Sequence, residues 1–359
     1  MEKQLDFKSN AFDFIRLSLA LIVVFSHSFL IGGWGSAPHV KVNNEDLSLG
    51  SFAVYGFFIL SGILIFKSAI SSTNILSYTK KRFLRIFPGL WATLILIAFV
   101  FMPIIYIKNG VGYIDYLKQY GFDIIKYIFN NGVVFFYGKS RNIGSIVQSY
   151  PAGEIGAGEI AGSFWTLAFE LKVYMLAAII AFTGLFKRKF AVPVIFFIFW
   201  IIYINLGFEQ SIITRIVHKV IKDDHNIVLS TYFLAGSVAF QFIEKIKLNY
   251  KFFAISIILT SLSLIYKFFP VVGPFTLTYI LLFSGTYLPF TDIAKKYGDL
   301  SYGVYVYSFP IQVLLYTFGF QSFGFIAYTS ISIILSLIFG YISYHLVEKR
   351  FITRSKLLQ

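Results

Sequence analysis

Arg16 and His27 stand eleven residues apart in a stretch that is otherwise almost entirely apolar. Eleven helical residues turn about 1100°, roughly 20° past three full turns, so the two side chains share one face about 16 Å apart along the axis. Asp13, Ser26 and Ser28 lie close by in sequence, and together they form a polar line along an apolar helix. An imidazole suits proton transfer at neutral pH, and a guanidinium suits oriented binding of anionic oxygen. The plainer reading is a snorkelling arginine near a helix start and a histidine packed in a bundle.

A second cluster reads Trp165-Thr166-Leu167-Ala168-Phe169-Glu170-Leu171-Lys172-Val173-Tyr174. Glu170 and Tyr174 are four residues apart and share a helix face, while Lys172 points away and can snorkel. A carboxylate inside an apolar run needs a partner; His27, Arg16 and Arg85 are the candidates. A helix-packing ion pair is the alternative. The run Tyr78 to Pro88 holds Lys80, Lys81, Arg82 and Arg85. It reads either as topology control with attraction to anionic lipid, or as a site for a phosphate-rich ligand through charge-assisted bonds. Arg82 and Arg85 share a face, which favours a site. Tyr302, Tyr305 and Ser308 recur every three residues, which places their hydroxyls near one face; an interfacial tyrosine belt is the alternative. Gly56, Ser61 and Gly62 permit close helix approach, and would equally let a thin acyl-bearing chain pass. Glu348 with Lys349 and Arg350 reads as a helix end cap.

The elements that position these groups follow from composition. The 359 residues are 57% hydrophobic and 13% charged, against roughly 25% charged in an average soluble domain. So few charges cannot cover so much apolar surface in water. Apolar runs occupy 12–33, 50–70, 86–107, 163–184, 190–207, 228–245, 252–269, 271–291, 300–319 and 325–346. Their lengths of about 20 residues predict an all-α polytopic membrane protein with about ten transmembrane helices, residues 1–359 forming a single membrane domain. With the N-terminus in the cytoplasm, Lys and Arg fall about two to one on the cytoplasmic side, so both termini are expected there. The net charge of +14 is thereby explained without a nucleic-acid partner.

The chain has no cysteine, which removes thiol nucleophiles, disulfides and thiolate metal sites. No metal is expected. The first apolar run lacks a small-residue cleavage site, so no cleaved signal is expected. The long segment 108–162 is aromatic and amphipathic, then Gly-rich, and reads as a lid over a cavity or a connector.

Six blocks in order resemble the membrane-bound acyltransferase family 3. They are the Arg, ten residues, His pattern of Phe12 to His27; Phe57-Phe58-Ile59-Leu60-Ser61-Gly62; Arg82-Phe83-Leu84-Arg85-Ile86-Phe87-Pro88; Trp165-Thr166-Leu167 with Glu170 and Tyr174; Leu300-Ser301-Tyr302-Gly303-Val304-Tyr305; and Val347-Glu348-Lys349-Arg350-Phe351. The resemblance covers residues 12 to 351. Ser308 departs from it, since many members carry a histidine there. The chain ends at Gln359, which predicts the stand-alone type without an attached esterase-like domain.

The resemblance implies acyl transfer, most simply of acetyl from acetyl-CoA as co-substrate in the cytoplasm. The acceptor is a hydroxyl on a cell-surface or lipid-linked polysaccharide, such as O-antigen of lipopolysaccharide, capsule or exopolysaccharide, at a bacterial inner membrane. On this reading His27 is the general base or a transient acyl carrier, Arg16 orients the donor or stabilises negative charge, and Glu170 orients His27 or the acceptor. Lys81, Arg82 and Arg85 hold coenzyme A phosphates. Asp13, Trp165, Tyr174, Tyr302 and Tyr305 contact substrate, and Tyr113, Tyr116, Tyr120 and Phe122 stack on sugar rings. Buried ionisable groups among many spans also describe a saccharide transporter, which needs no acyl donor.

Overall fold

The computed structural model describes residues 4–42, 45–134, 143, 159–207, 211–221 and 223–356. Among the described residues fifteen α-helices and one hairpin follow in order. They are α1 (Phe12–Ile31), β1 (His39–Val42), β2 (Glu45–Ser48), α2 (Leu49–Ile70), α3 (Ile75–Leu96), α4 (Met102–Lys108), α5 (Tyr113–Gly132), α6 (Trp165–Phe182), α7 (Ala191–Leu206), α8 (Ile212–Ile221), α9 (His225–Gln241), α10 (Tyr250–Ile265), α11 (Phe269–Tyr287), α12 (Ile293–Tyr297), α13 (Ser301–Thr317), α14 (Phe325–Ser343) and α15 (Lys349–Lys356). A widened π-type turn, 97–101, joins α3 to α4 without a break, and a second, 344–348, joins α14 to α15.

Every apolar run read from the sequence lies on a helix. Among the described residues six stretches are long and apolar enough to cross a membrane: Phe12–Ile31, Leu49–Ile70, Ile75–Lys108, Gly162–Phe182, Phe269–Tyr287 and Phe325–Thr353. The other four runs lie on α7, α9, α10 and α13, which have 16 or 17 residues each and reach only about 24–26 Å. The basic run before Pro88 belongs to α3 rather than to a loop. The helix starts eleven residues before the expected span, with Tyr78 and Ile86 buried and Ile75, Leu76 and Phe83 exposed.

The chain divides into two compact units of interleaved segments, one of residues 1–19, 38–78 and 169–296, the other of 20–37, 79–168 and 297–359. In the first unit α2 and α9 cross with backbones touching. A Cβ on Gly62 would lie 2.0 Å from the Phe233 carbonyl oxygen, and one on Gly236 would lie 2.1 Å from that of Ile59. Small residues without side chains allow this approach. It also closes the gap at Gly62, so no acyl chain passes there. Ser48 starts α2 with a reciprocal cap, its hydroxyl accepting from the Ser51 amide and its own amide donating to the Ser51 hydroxyl, both at 3.2 Å. The hairpin before it is antiparallel, with His39 opposite Ser48 and Val42 opposite Glu45. In the second unit α13 crosses α14 at Gly303 and Gly340, and every residue of α13 from Ser301 to Val313 is buried.

Helix α5 is two-faced. Tyr116, Ile124 and Tyr127 are buried, while Phe122, Ile125 and Phe129 are exposed. Tyr116 stacks among Tyr106 and Tyr120, and its hydroxyl donates to the Ala98 carbonyl at 2.9 Å. It is therefore a packing residue, closed off from any sugar ring. The Gly-rich stretch from Pro151 lies outside the described residues until Glu159.

Candidate active site

In the first unit Arg16 and Asp13 share the opening turns of α1 at 3.9 Å, their side chains 21% and 49% exposed. On α6 the Tyr174 hydroxyl donates to the Glu170 carboxylate, as the spacing of four residues predicts. Tyr174 is itself buried, and its carbonyl accepts from the Tyr78 hydroxyl at 2.9 Å. Lys172 leaves this face. Its ammonium reaches Asn226 at 2.7 Å and covers the Phe169 ring at 4.6 Å, so it packs and does not face the carboxylate.

In the second unit His27 lies on the later half of α1. Its ring meets Phe309 of α13 edge-on, centroids 5.3 Å apart. Phe309 is pressed from elsewhere by Gly162, where a Cβ would lie 2.5 Å from the ring. The histidine is thus held by an apolar wall, and its Nδ1 is buried with no hydrogen-bond partner among the described residues. A buried imidazole nitrogen left open in this way is poised to give or take a proton.

Three links tie α13 to the segments beside it. The Tyr305 hydroxyl meets Thr166 at 2.7 Å and donates to the Ser163 carbonyl at 3.1 Å. The Tyr302 hydroxyl donates to the Ile86 carbonyl at 2.8 Å. Arg85 forms an ion pair with Asp299, whose other oxygen accepts from the Ser301 amide and hydroxyl at 3.2 and 2.6 Å. The first two links occupy hydroxyls that the sequence assigns to substrate; the third engages a guanidinium assigned to donor phosphate. Trp165, at the start of α6, sits beside Thr166 and is half-buried. Lys80 is exposed, Lys81 buried and Arg82 half-buried, so the α3 cations do not share one solvated face.

Two groups here escape a reading of the sequence alone. Asp299 looks like a simple loop residue, although an Asp two residues before Ser301 and an apolar helix is a helix-start signal. Glu348, expected as an exposed end cap, is 1% exposed. It accepts from the Ser343 hydroxyl at 3.0 Å, and its Cγ lies 3.3 Å from where a Cβ on Gly89 would stand. The π-type turn over 344–348 rotates it inward, which a plain 3.6-residue count does not foresee.

Comparison with known proteins then gives one consistent answer. Residues 9–345 match the model of a family described as an acyltransferase domain. The chain is 30% identical to the O-acetyl transferase of Shigella phage Sf6, over 97% of each chain. It is 29% identical to nodulation protein 10 of Rhizobium leguminosarum bv. viciae, over 46% of this chain and 42% of that one. No solved structure matches. The match over nearly the whole length decides between enzyme and transporter: the chain belongs to this acyltransferase family and is an O-acyltransferase.

Proposed function

We propose that the protein transfers an acetyl group from acetyl-CoA to a hydroxyl of a cell-surface or lipid-linked polysaccharide, with His27 as the general base. The observation that carries this is the buried, unpartnered Nδ1 of His27 against the Phe309 wall. An imidazole that had only a packing role would have its nitrogens satisfied. The name of the phage relative, an O-acetyl transferase, supports acetyl as the group and oxygen as the acceptor atom. The chain works as a single membrane domain of ten spans in a bacterial inner membrane, both termini in the cytoplasm, by the bias of Lys and Arg.

The reaction balances as follows. The acceptor oxygen forms a bond to the acyl carbon as the carbon–sulfur bond of the thioester breaks. The hydroxyl proton passes to His27 and from there to the departing coenzyme A sulfur. Arg16, about 16 Å from His27 along the helix axis, orients the donor's polar groups. Arg82 and Lys81 attract coenzyme A phosphates, and Arg85 does so while tethered to Asp299. Glu170 orients the acceptor hydroxyl, supported by Tyr174. Asp13 and Trp165 bind the acceptor, while Tyr302 and Tyr305 hold the frame through hydroxyls already committed to backbone.

The test is labelled acetyl-CoA supplied to membranes containing the protein. Wild type should move label into glycan, and His27→Ala should insert normally and move none. Label transfer at the normal rate by His27→Ala would show that the base lies elsewhere.

A further inference from the structure

Gln312 of α13 is a buried polar side chain that the reaction above does not use. Its Nε2 donates to the Val24 carbonyl and the Ser28 hydroxyl of α1, each at 2.8 Å, and that hydroxyl donates to Val24 at 3.0 Å. This triangle fixes which way the amide points. A carbonyl oxygen can only accept, so the Gln312 NH₂ must face Val24. Its Oε1 is thereby turned away, buried and with no partner among the described residues. An unsatisfied buried carbonyl is costly and calls for a reason.

The second open atom of this interface is Nδ1 of His27. Val24 and His27 are three residues apart on α1. Phe309, which packs on the His27 ring, and Gln312 are three residues apart on α13. Both open atoms therefore lie within about one turn, roughly 5 Å along the axes, of the same α1–α13 contact. One atom can only accept; the other donates in one tautomer.

We infer that Gln312 is a positioning residue for His27: its Oε1 receives the Nδ1–H, directly after a small turn of the ring or through one water, and so keeps the lone pair on Nε2 for the acceptor hydroxyl. A reading of the sequence places a carboxylate, Glu170, in this orienting role. A neutral amide fixes the tautomer without bringing a second charge to membrane depth, where charge is costly. The surroundings agree. Helices α13 and α14 and the Ala20–Ile31 part of α1 contain no Asp, Glu, Lys or Arg. The titratable hydroxyls there that bear on this contact are those of Tyr305 and Tyr328. Tyr305 is tied to Ser163 and Thr166, and Tyr328 donates to the Gln312 carbonyl at 2.7 Å, which holds α13 at this residue.

The inference rests on His27 being the base, and the test separates the two. Full-length wild type, His27→Ala, Gln312→Leu and Gln312→Glu are compared in membranes supplied with labelled acetyl-CoA, with glycan label normalised to inserted protein. Gln312→Leu should lower the maximal rate by about tenfold or more, with the KM for acetyl-CoA unchanged. Gln312→Glu keeps an acceptor oxygen. It should regain much of the rate and move the acid limb of the pH–rate profile upward by about one unit, because a carboxylate favours the imidazolium. A residue that merely fastened two helices would not move that limb. An inactive His27→Ala together with a Gln312→Glu profile that superimposes on wild type overturns the inference and leaves the base in place. A fully active His27→Ala overturns both.

Discussion

Arg85 and Asp299 are ion-paired, and the same aspartate caps the start of α13 through Ser301. The side chains are 18% and 16% exposed, so neither charge is well solvated. Removing one partner of such a pair leaves the other uncompensated, at about 3–5 kcal/mol for full burial and less here. Arg85→Ala and Asp299→Ala should therefore each lower the thermal midpoint in detergent. The double variant should lose less than the two losses added, because they act as one unit. Arg85→Ala should also raise the KM for acetyl-CoA. An unchanged KM would remove Arg85 from the donor site and leave it as the cap's counter-ion.

The α2–α9 crossing makes a sharper stability prediction. With the Phe233 and Ile59 carbonyls about 2 Å from the missing Cβ positions, no side-chain rotation can relieve an alanine at Gly62 or Gly236. The helices must separate. Gly62→Ala and Gly236→Ala should each cost about 1–3 kcal/mol as overpacking, read as a lower midpoint or a lower yield of folded protein. Gly121 of α5 is the control, with nothing within 4 Å of its missing Cβ. Gly121→Ala should be neutral or stabilising by about 0.5–1 kcal/mol, from helix propensity. Equal behaviour of all three would mean that the crossing has room for a methyl group.

Glu45, in the hairpin, sets a pH dependence. Burial pushes its carboxyl above the ordinary range, and hydrogen bonds from Tyr55 and Tyr203, at 3.2 and 3.3 Å, oppose that in part. A raised folded value means that the fold favours the protonated form. Its contribution to stability is full below the unfolded value of about 4.3 and is lost as pH rises through the folded value. Glu45→Gln cannot ionise. Wild type should therefore lose stability relative to Glu45→Gln as pH is raised from about 4 to 8. Parallel curves for the two proteins would show that Glu45 ionises as easily in the fold as out of it.

The chemistry-bearing helices were legible because charge is so scarce here. Arg16, His27 and Glu170 stand out against apolar runs, and the Glu170–Tyr174 hydrogen bond follows from a spacing of four. Long-range partners were not legible. Asp299 meets Arg85 across 214 residues, and no local period encodes that. Gln312 has no charge to draw attention, and only its orphaned oxygen beside α1 gives it meaning. Tyr116 and Glu348 differ from expectation for a common reason. An aromatic and a carboxylate near helix ends look solvent-facing on a regular helical count, whereas the α4–α5 contact and a π-type turn bury them. Span length divides in the same way: four helices are too short to be read as crossings by length alone, though each apolar run predicted a helix correctly.

Tyr305 offers the clearest separation between a frame and a substrate contact. Its spacing with Tyr302 suggests a hydroxyl ladder facing a ligand. In the structure its hydroxyl meets Thr166 and donates to the Ser163 carbonyl, while the Ser163 hydroxyl reaches back to the Tyr305 carbonyl at 3.4 Å. The residue is 8% exposed. These bonds fasten the first turn of α6 to α13, one turn before Phe309 and its contact with His27. Tyr305→Phe keeps the ring and removes the hydroxyl, leaving the buried Thr166 hydroxyl with its bond to the Ser163 carbonyl at 3.3 Å. The expected cost is about 1–3 kcal/mol of stability. Because the hydroxyl is already spent within the protein, the KM for acetyl-CoA should not move, and the maximal rate should fall only as far as the Phe309 wall loosens. Thr166→Val should lose less, since the Tyr305 hydroxyl keeps the Ser163 carbonyl, and the double variant should lose less than the two losses added, because the two residues share one contact. A Tyr305→Phe protein with wild-type stability and a raised KM for acetyl-CoA would instead make this tyrosine a ligand contact.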